Sequence, residues 1–248
     1  MREKKLSKRM QAVADLVTPG QRVADVGCDH AYVSIYLVEQ GIASQCLAMD
    51  VNKGPLERAQ ANIQAHGLED RIETRLGSGL EPARVGEVDA VLMAGMGGIL
   101  MRDLLETSKE VSHSLQEWVL QPQSDIDLVR SYIRESGFTI VEENMVEEDG
   151  KYYPMFRAVP EQETSAESGL VSAAELTAEE LQWQQVYDLY GKLLLTGQHP
   201  VLKEFLEQGK EHYAAILRQM ESSGHRGDKW EQIQQSAEKV RLALTFWE

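Results

Sequence analysis

The chain has 248 residues, with 25 Lys and Arg against 40 Asp and Glu, for a formal charge of −15. A composition 42% hydrophobic and 26% charged excludes wholesale disorder, and no apolar run approaches the roughly 18–20 residues that a membrane span needs. Neither half is basic: 17 Lys and Arg face 25 Asp and Glu in the first 160 residues, and 8 face 15 in the rest, which argues against a sequence-blind polyanion binder. One local basic patch stands out, Arg2, Lys4, Lys5, Lys8 and Arg9; it suits nucleic acid, or it is a solvated helix face or frayed end. Cys28 and Cys46 are too few for a disulfide framework or a four-cysteine zinc site. The opening MREKKLSKRM has no apolar stretch or small-residue cleavage site behind it. A reducing cytoplasm is therefore the expected location.

In chain order, residues 22–26 (RVADV) predict a buried strand and 32–40 the helix after it. Residues 44–50 predict a second strand, and 55–66 a helix with Pro55 in its first turn and Gly67 just past its end. Strands follow at 71–76 and 88–94, then a helix from 98 to 107. Residues 118–120 mark a fifth strand, and 124–136 another helix with Ser124 as N-cap. This alternation predicts an α/β fold with a mostly parallel sheet covered on both faces. Two strand-like runs, 138–147 and 152–159, are separated by only four residues, too few for a parallel crossover, so an antiparallel hairpin is expected to end the sheet.

Beyond residue 160 the strand signals stop. The first 160 residues read as a Rossmann-like domain, 161–171 as a polar linker and 172–248 as a helical, coiled-coil-like domain. Thr177 and Glu180 have capping-box spacing and open a helix through about residue 195. After a turn at 197–200, helical patterns at 201–220 and 230–247 predict an antiparallel pair, because the connection between them is short.

The chemistry concentrates where the first strand ends, in Asp25-Val26-Gly27-Cys28-Asp29-His30. A glycine there lets a ligand approach the backbone. Asp25 and Asp29 repel a diphosphate, and the surrounding sequence offers no cation to offset them, so a ligand with a positive centre and no phosphate is favoured. S-adenosylmethionine, with its sulfonium and amino groups, answers that description; NAD does not. The bland alternative is a tight turn with exposed acids. Asp50, ending the second strand, suits the ribose hydroxyls of an adenosine. Ser78, in Gly77-Ser78-Gly79-Leu80, can offer a hydroxyl to an adenine or be only a turn residue. Gly95, Gly97 and Gly98 after the fourth strand lower the wall for a base or methyl group, and Met96 can pack on a ring or serve as a lid. Gln121 and Gln123 place amides on the same rim, unless they only cap a helix. Tyr152 and Tyr153 can stack on a base or pack in the sheet. The six histidines lack metal-ligand spacing, so no metal is expected, and most are expected at the surface.

Taken together, LSKRM at 6–10, DVGCDHAY at 25–32, AGMGG at 94–98, LQP at 120–122 and KYYP at 151–154 resemble the bacterial tRNA (adenine-22-N1)-methyltransferases of the TrmK family, over essentially the whole chain. The resemblance implies a class I methyltransferase fold, S-adenosyl-L-methionine as donor and adenine 22 of tRNA as acceptor. It assigns the donor site to Asp25, Gly27, Asp29, Asp50, Ser78, Gly95 and Met96, with Cys28, Val51 and Gly79 beside them. Two positions depart from the family pattern: Ser78 stands where G-D-G-L is usual, and Gln123 where an asparagine follows LQP.

Neutral adenine N1 has a lone pair and needs no strong base, so the expected catalytic group is a carboxylate beside the cationic product ring, Asp29. The base must be unpaired or flipped out; Tyr32, Gln121, Tyr152 and Tyr153 are its expected contacts, and Lys4, Lys5, Lys8 and Arg9 those of the tRNA phosphates. The expected partner is tRNA, with no membrane, and the expected state is a monomer. A second reading keeps the donor but makes the acceptor a protein or small metabolite. A third makes the chain a non-catalytic adaptor.

Overall fold

The computed structural model describes residues 6–161, 177–223 and 226–248, in two compact units, Met1–Glu163 and Thr164–Glu248. In the first unit, β1 (Arg22–Val26), β2 (Gln45–Asp50), β3 (Ile72–Leu76), β4 (Ala90–Met96), β5 (Glu117–Pro122), β6 (Phe138–Glu148) and β7 (Lys151–Pro160) form a sheet in the order β3-β2-β1-β4-β5-β7-β6. The first five strands in that order are parallel, and β7 runs antiparallel to both β5 and β6. The parallel sheet closed by an antiparallel hairpin is thus as the sequence predicts.

Alternation along each strand divides the core. Val23, Cys46, Ala48, Ala90, Leu92 and Val119 share one face with residues of α1 (Lys8–Ala14), α2 (Tyr32–Glu39) and α3 (Lys53–His66). Ala24, Leu47, Met49, Val91, Met93, Trp118 and Leu120 share the other with α4 (Gly98–Thr107) and α6 (Ile126–Glu135). A short α5 (Lys109–Ser112) joins α4 to β5. Burial on both faces is why the centre of the sheet, above all β4, reads as an apolar run, while the edge strand β3 is polar and partly exposed. Parallel pairing in register, Asp25 opposite Ala48 and Asp50 opposite Leu76, lines up the strand exits on one edge of the sheet.

Three local expectations are corrected. Helix α1 does not show in the sequence as an element, yet Ser7 caps it by accepting the Met10 N–H, and Val13 and Ala14 are buried. Ser124 is not the N-cap of α6. That position belongs to Asp125, in left-handed conformation, because the Ser124 carbonyl is committed to the Gly98 N–H at 3.0 Å. The helix expected through residue 195 breaks at Gly191, whose φ of 88° and ψ of 120° are not helical.

The second unit is helical: α7 (Ala178–Tyr190), α8 (Lys192–Thr196), α9 (Pro200–Ser222) and α10 (Asp228–Leu244), ending in a 3₁₀ turn at Thr245–Trp247. Thr177 and Glu180 form the expected capping box on α7. Leu202, Leu206, Val240 and Ala243 are buried, and Gly209 faces Val240 at nearly equal distances from the connection, the pattern of a helical hairpin. Except for Glu161, the linker expected at 161–171 lies outside the described residues. So does the segment holding Arg2, Lys4 and Lys5.

Candidate active site

The exit of β1 is built by backbone geometry. The N–H groups of Gly27 and Cys28 both donate to the Met49 carbonyl, at 2.9 and 3.0 Å, which folds the turn against the end of β2. Gly27, Asp29 and Ala31 all have positive φ, 76°, 48° and 57°. Left-handed conformation is strained for alanine and tolerated by aspartate, and such strain gathers where a site over-determines the backbone. A Cβ on Gly27 would meet the Met96 Cε at 3.4 Å, so the side chain from the β4 exit reaches over the β1 exit.

Above this turn lies a cavity of about 250 Å³, walled by Leu6, Ser7, Arg9 and Met10 on one side and by residues 25–30 on the other, with Tyr32 and Val33 beside them. The structure therefore brings Arg9, Asp25, Gly27, Cys28, Asp29 and Tyr32 together. Asp50 lies at the neighbouring exit, its Oδ1 accepting the Asn52 N–H at 2.8 Å. Val51 is exposed beside it, and the Asp50 carbonyl accepts the Gly77 N–H, which ties the turn of Ser78 and Gly79 to the same edge. Asp50, Val51, Ser78, Gly79, Gly95 and Met96 are not among the residues lining this cavity.

Asp25 is 3% exposed and accepts a 2.6 Å hydrogen bond from the buried Ser34 Oγ. Burial pushes its carboxyl up to about 6; the Ser34 hydrogen bond opposes this and the charge of Asp50 adds to it. Burial, with the charges of Asp25, Asp50 and Asp29, also drives the Cys28 thiol far up, so it is a packed thiol and not a nucleophile. Asp29 is exposed, with Arg58 Nη2 at 3.8 Å and His30 Nε2 at 3.6 Å.

Several expected residues have unexpected surroundings. The sequence suggested no cation near the acidic turn, yet Arg58 flanks Asp29 and Arg9 walls the cavity. Both arrive from distant segments. Gln121 is fully buried, not presented on the rim. Its Oε1 accepts from Arg9 Nη1 at 2.6 Å and from the Gly95 N–H at 3.2 Å. Gly95 has a φ of 80° and sits at a register shift between β4 and β5, so the bulge aims the chain at Arg9. Tyr153 lies under the Arg9 guanidinium at 5.1 Å, and Tyr152 is half-buried next to it. Lys8 Nζ reaches the Glu147 carbonyl at 3.1 Å and stays at the surface.

Two histidines have partly buried settings. His30 lines the cavity and stacks on Tyr32 at 5.4 Å, while His113 meets Trp118 and Phe138 edge-on. Ser34 and Arg58 are the residues that sequence reasoning missed, and no local signal marks them, because each is set by a contact outside its own helix. His30 stands in the motif but was given no role there. Among the described residues no group of three or more His, Cys, Asp or Glu is placed to hold a metal ion. Among the described residues no helix is long and apolar enough to cross a membrane.

Comparison with known proteins agrees with this geometry. The family described as "Methyltransferase domain" matches residues 6–156. The tRNA (adenine(22)-N(1))-methyltransferase of Bacillus subtilis is 30% identical over 242 residues, spanning 98% of this chain and 97% of that protein. The crystal structure of the B. subtilis m1A22 tRNA methyltransferase TrmK superposes with a TM-score of 0.79 at 29% identity, over 99% of this chain and all of that one. Sp1610 of Streptococcus pneumoniae, solved in complex with S-adenosyl-L-methionine, has a TM-score of 0.79 at 28% identity, over 97% of this chain and all of that one.

Proposed function

The chain belongs to the tRNA (adenine-22-N1)-methyltransferase family, and from that premise we infer that it transfers a methyl group from S-adenosylmethionine to N1 of adenine 22 in tRNA. The observation that carries the reading is Asp25, a carboxylate sealed at a cavity wall, where burial opposes its ionisation and a cationic ligand would favour it. The residues fit the donor. The acidic turn suits its positive sulfur and amino group, the open face of Gly27 admits it against the backbone, and Asp50 is placed for its ribose.

When bound, S-adenosylmethionine supplies an electrophilic methyl group on a cationic sulfur. The protein's part is orientation and charge. Asp29, exposed at the cavity mouth, offsets the positive charge that develops on the methylated ring. Tyr32, which walls the cavity, stacks on the flipped base, and Lys8, with Lys4 and Lys5 outside the described residues, meets the tRNA phosphates. We take a monomer as the working unit, and the cytoplasm as the place where it meets its tRNA partner.

The decisive assay measures transfer of labelled methyl to tRNA with adenine or guanine at position 22. Label is expected on the adenine form alone. Equal labelling of both removes the N1-adenine assignment, and labelling of protein with none on tRNA favours the alternative acceptor.

The pH dependence of donor binding is a further expected result. A cationic ligand stabilises ionised Asp25, so affinity is full above the free-state value of about 6 and declines as pH falls through it. From pH 7 to pH 5 the loss should be about tenfold, the limit for one proton. In the free protein the sign is opposite: a carboxyl raised on folding stabilises at low pH, and that contribution is lost as pH rises from about 4 to about 6. Calorimetric affinity that stays flat between pH 5 and pH 8 would rule out the Asp25 role.

A further inference from the structure

We propose that Gln123 reads the acceptor base, pairing its side-chain amide with N6 and N7 of adenine while N1 stays open to the methyl group; this deepens the acceptor reading above and rests on it. Methyl transfer needs the N1 lone pair, so a residue that identifies the base without blocking the reaction must approach from the N7 side. There N7 accepts and the N6 amino group donates. One amide answers both, its oxygen accepting from N6 and its nitrogen donating to N7. Guanine, with acceptors at both O6 and N7, leaves the amide oxygen facing another acceptor.

Two glutamines end β5 and the loop after it, and the structure separates their roles. Gln121 is fully buried, and its amide is taken up by Arg9, the Gly95 N–H and the Pro122 carbonyl. Gln123 is exposed, and among the described residues its amide makes no hydrogen bond. Its backbone is nevertheless fixed. The Gln123 N–H donates to the Met96 carbonyl at 2.9 Å, and the Ser124 carbonyl accepts the Gly98 N–H at 3.0 Å. Gly98 permits this closeness: a Cβ there would fall 2.5 Å from the Ser124 carbonyl oxygen, so any other residue would push the segment off the end of β4.

The side chain is placed as well. Gln123 Nε2 lies 3.6 Å from the point where a Cβ on Gly95 would stand, and Nη1 of Arg9, a wall of the cavity, lies 3.2 Å from the same point. Met96, to which Gln123 is bonded through the backbone, reaches over the β1 exit. Gln123 does not itself line the cavity. It stands at the rim beside it, on the side open to an incoming base. Helix capping does not account for it, because the N-cap of α6 is Asp125. The neighbouring Ser124 hydroxyl is committed to Asp125 Oδ2 at 2.7 Å, which leaves Gln123 as the available amide on this rim.

The test compares kcat/KM for methyl transfer to two tRNAs that differ only at position 22, one with adenine and one with 7-deazaadenine, in which a C–H replaces N7 and N1 is kept. On the adenine tRNA, Gln123→Leu should lower kcat/KM by about 30-fold, in the range of a lost bidentate pair. The ratio of kcat/KM, adenine over 7-deazaadenine, should be about tenfold lower for Gln123→Leu than for the unmodified protein, because only the glutamine can use N7. Any difference in N1 reactivity between the two bases cancels in that comparison, and damage to the fold lowers both rates together. Affinity for S-adenosylhomocysteine should stay within about twofold, since the residue lies outside the donor cavity. A ratio that the substitution leaves unchanged, or a donor affinity that falls about tenfold, overturns the assignment of Gln123 alone. If the unmodified protein methylates neither tRNA, the acceptor reading fails and takes this assignment with it.

Discussion

Asp50→Ala is expected to weaken binding of S-adenosylhomocysteine by about 100-fold or more, which is what losing two charge-assisted hydrogen bonds to a ribose implies. The carboxylate is suited to this by its setting. It is 9% exposed at the end of β2, and the Asn52 N–H on Oδ1 fixes its orientation without consuming the second oxygen. The Gly77 N–H on the Asp50 carbonyl locks the neighbouring turn, so removing the side chain leaves the backbone path intact. Asp50→Asn should fall between, keeping one acceptor and losing the charge. The homocysteine product is the better probe because binding is read without turnover. A change below threefold for the alanine variant would mean that the ribose is held elsewhere.

Trp118→Ala should destabilise the protein by about 3–5 kcal/mol, a large part of the roughly 5–15 kcal/mol that holds a typical domain folded. Trp118 is fully buried on β5 and stacks on Phe138 at 3.9 Å and on Tyr132 at 6.1 Å. Its Nε1–H donates to the Ser112 carbonyl at 2.8 Å, so the substitution opens a cavity and also removes a buried hydrogen bond. The residue joins β5, α6 and the first strand of the hairpin on the face away from the cavity. Urea unfolding of the free protein measures the loss, and a value under 1 kcal/mol would show that the surrounding rings close the gap. Activity at low temperature should survive better than stability, because Gln121, on the same strand, is held by Arg9 and Gly95 from the opposite side.

Asp29 and Asp25 illustrate how position divides the work between like residues. They are four positions apart in one turn, yet one is exposed beside Arg58 and the other is sealed under Ser34. Burial drives the sealed one up to about 6.

How much of this was already written in the chain differs from element to element. The central strands of the parallel sheet were legible because burial on both faces favours apolar residues along most of their length, and the hairpin because four residues cannot carry a crossover. The place of the acidic turn and of Asp50 at neighbouring strand exits was legible because each follows directly on a strand that the sequence predicts. The capping box on α7 was legible for a local reason: both partners lie within one turn.

Helix α1 was not legible. Its seven residues, KRMQAVA, are too few for a periodic signal, and its place is set by contacts to the hairpin and to the sheet. That placement brings Arg9 to Gln121 across 112 residues of sequence and puts a cation where local sequence showed only acids. Burial of Asp25 and the fixed amide of Gln121 belong to the same class. Composition and short-range pattern determine which elements form and where a ligand can enter. The sign and strength of charge inside the cavity depend on which distant side chains the packed sheet brings within hydrogen-bonding distance, and on how much water it excludes.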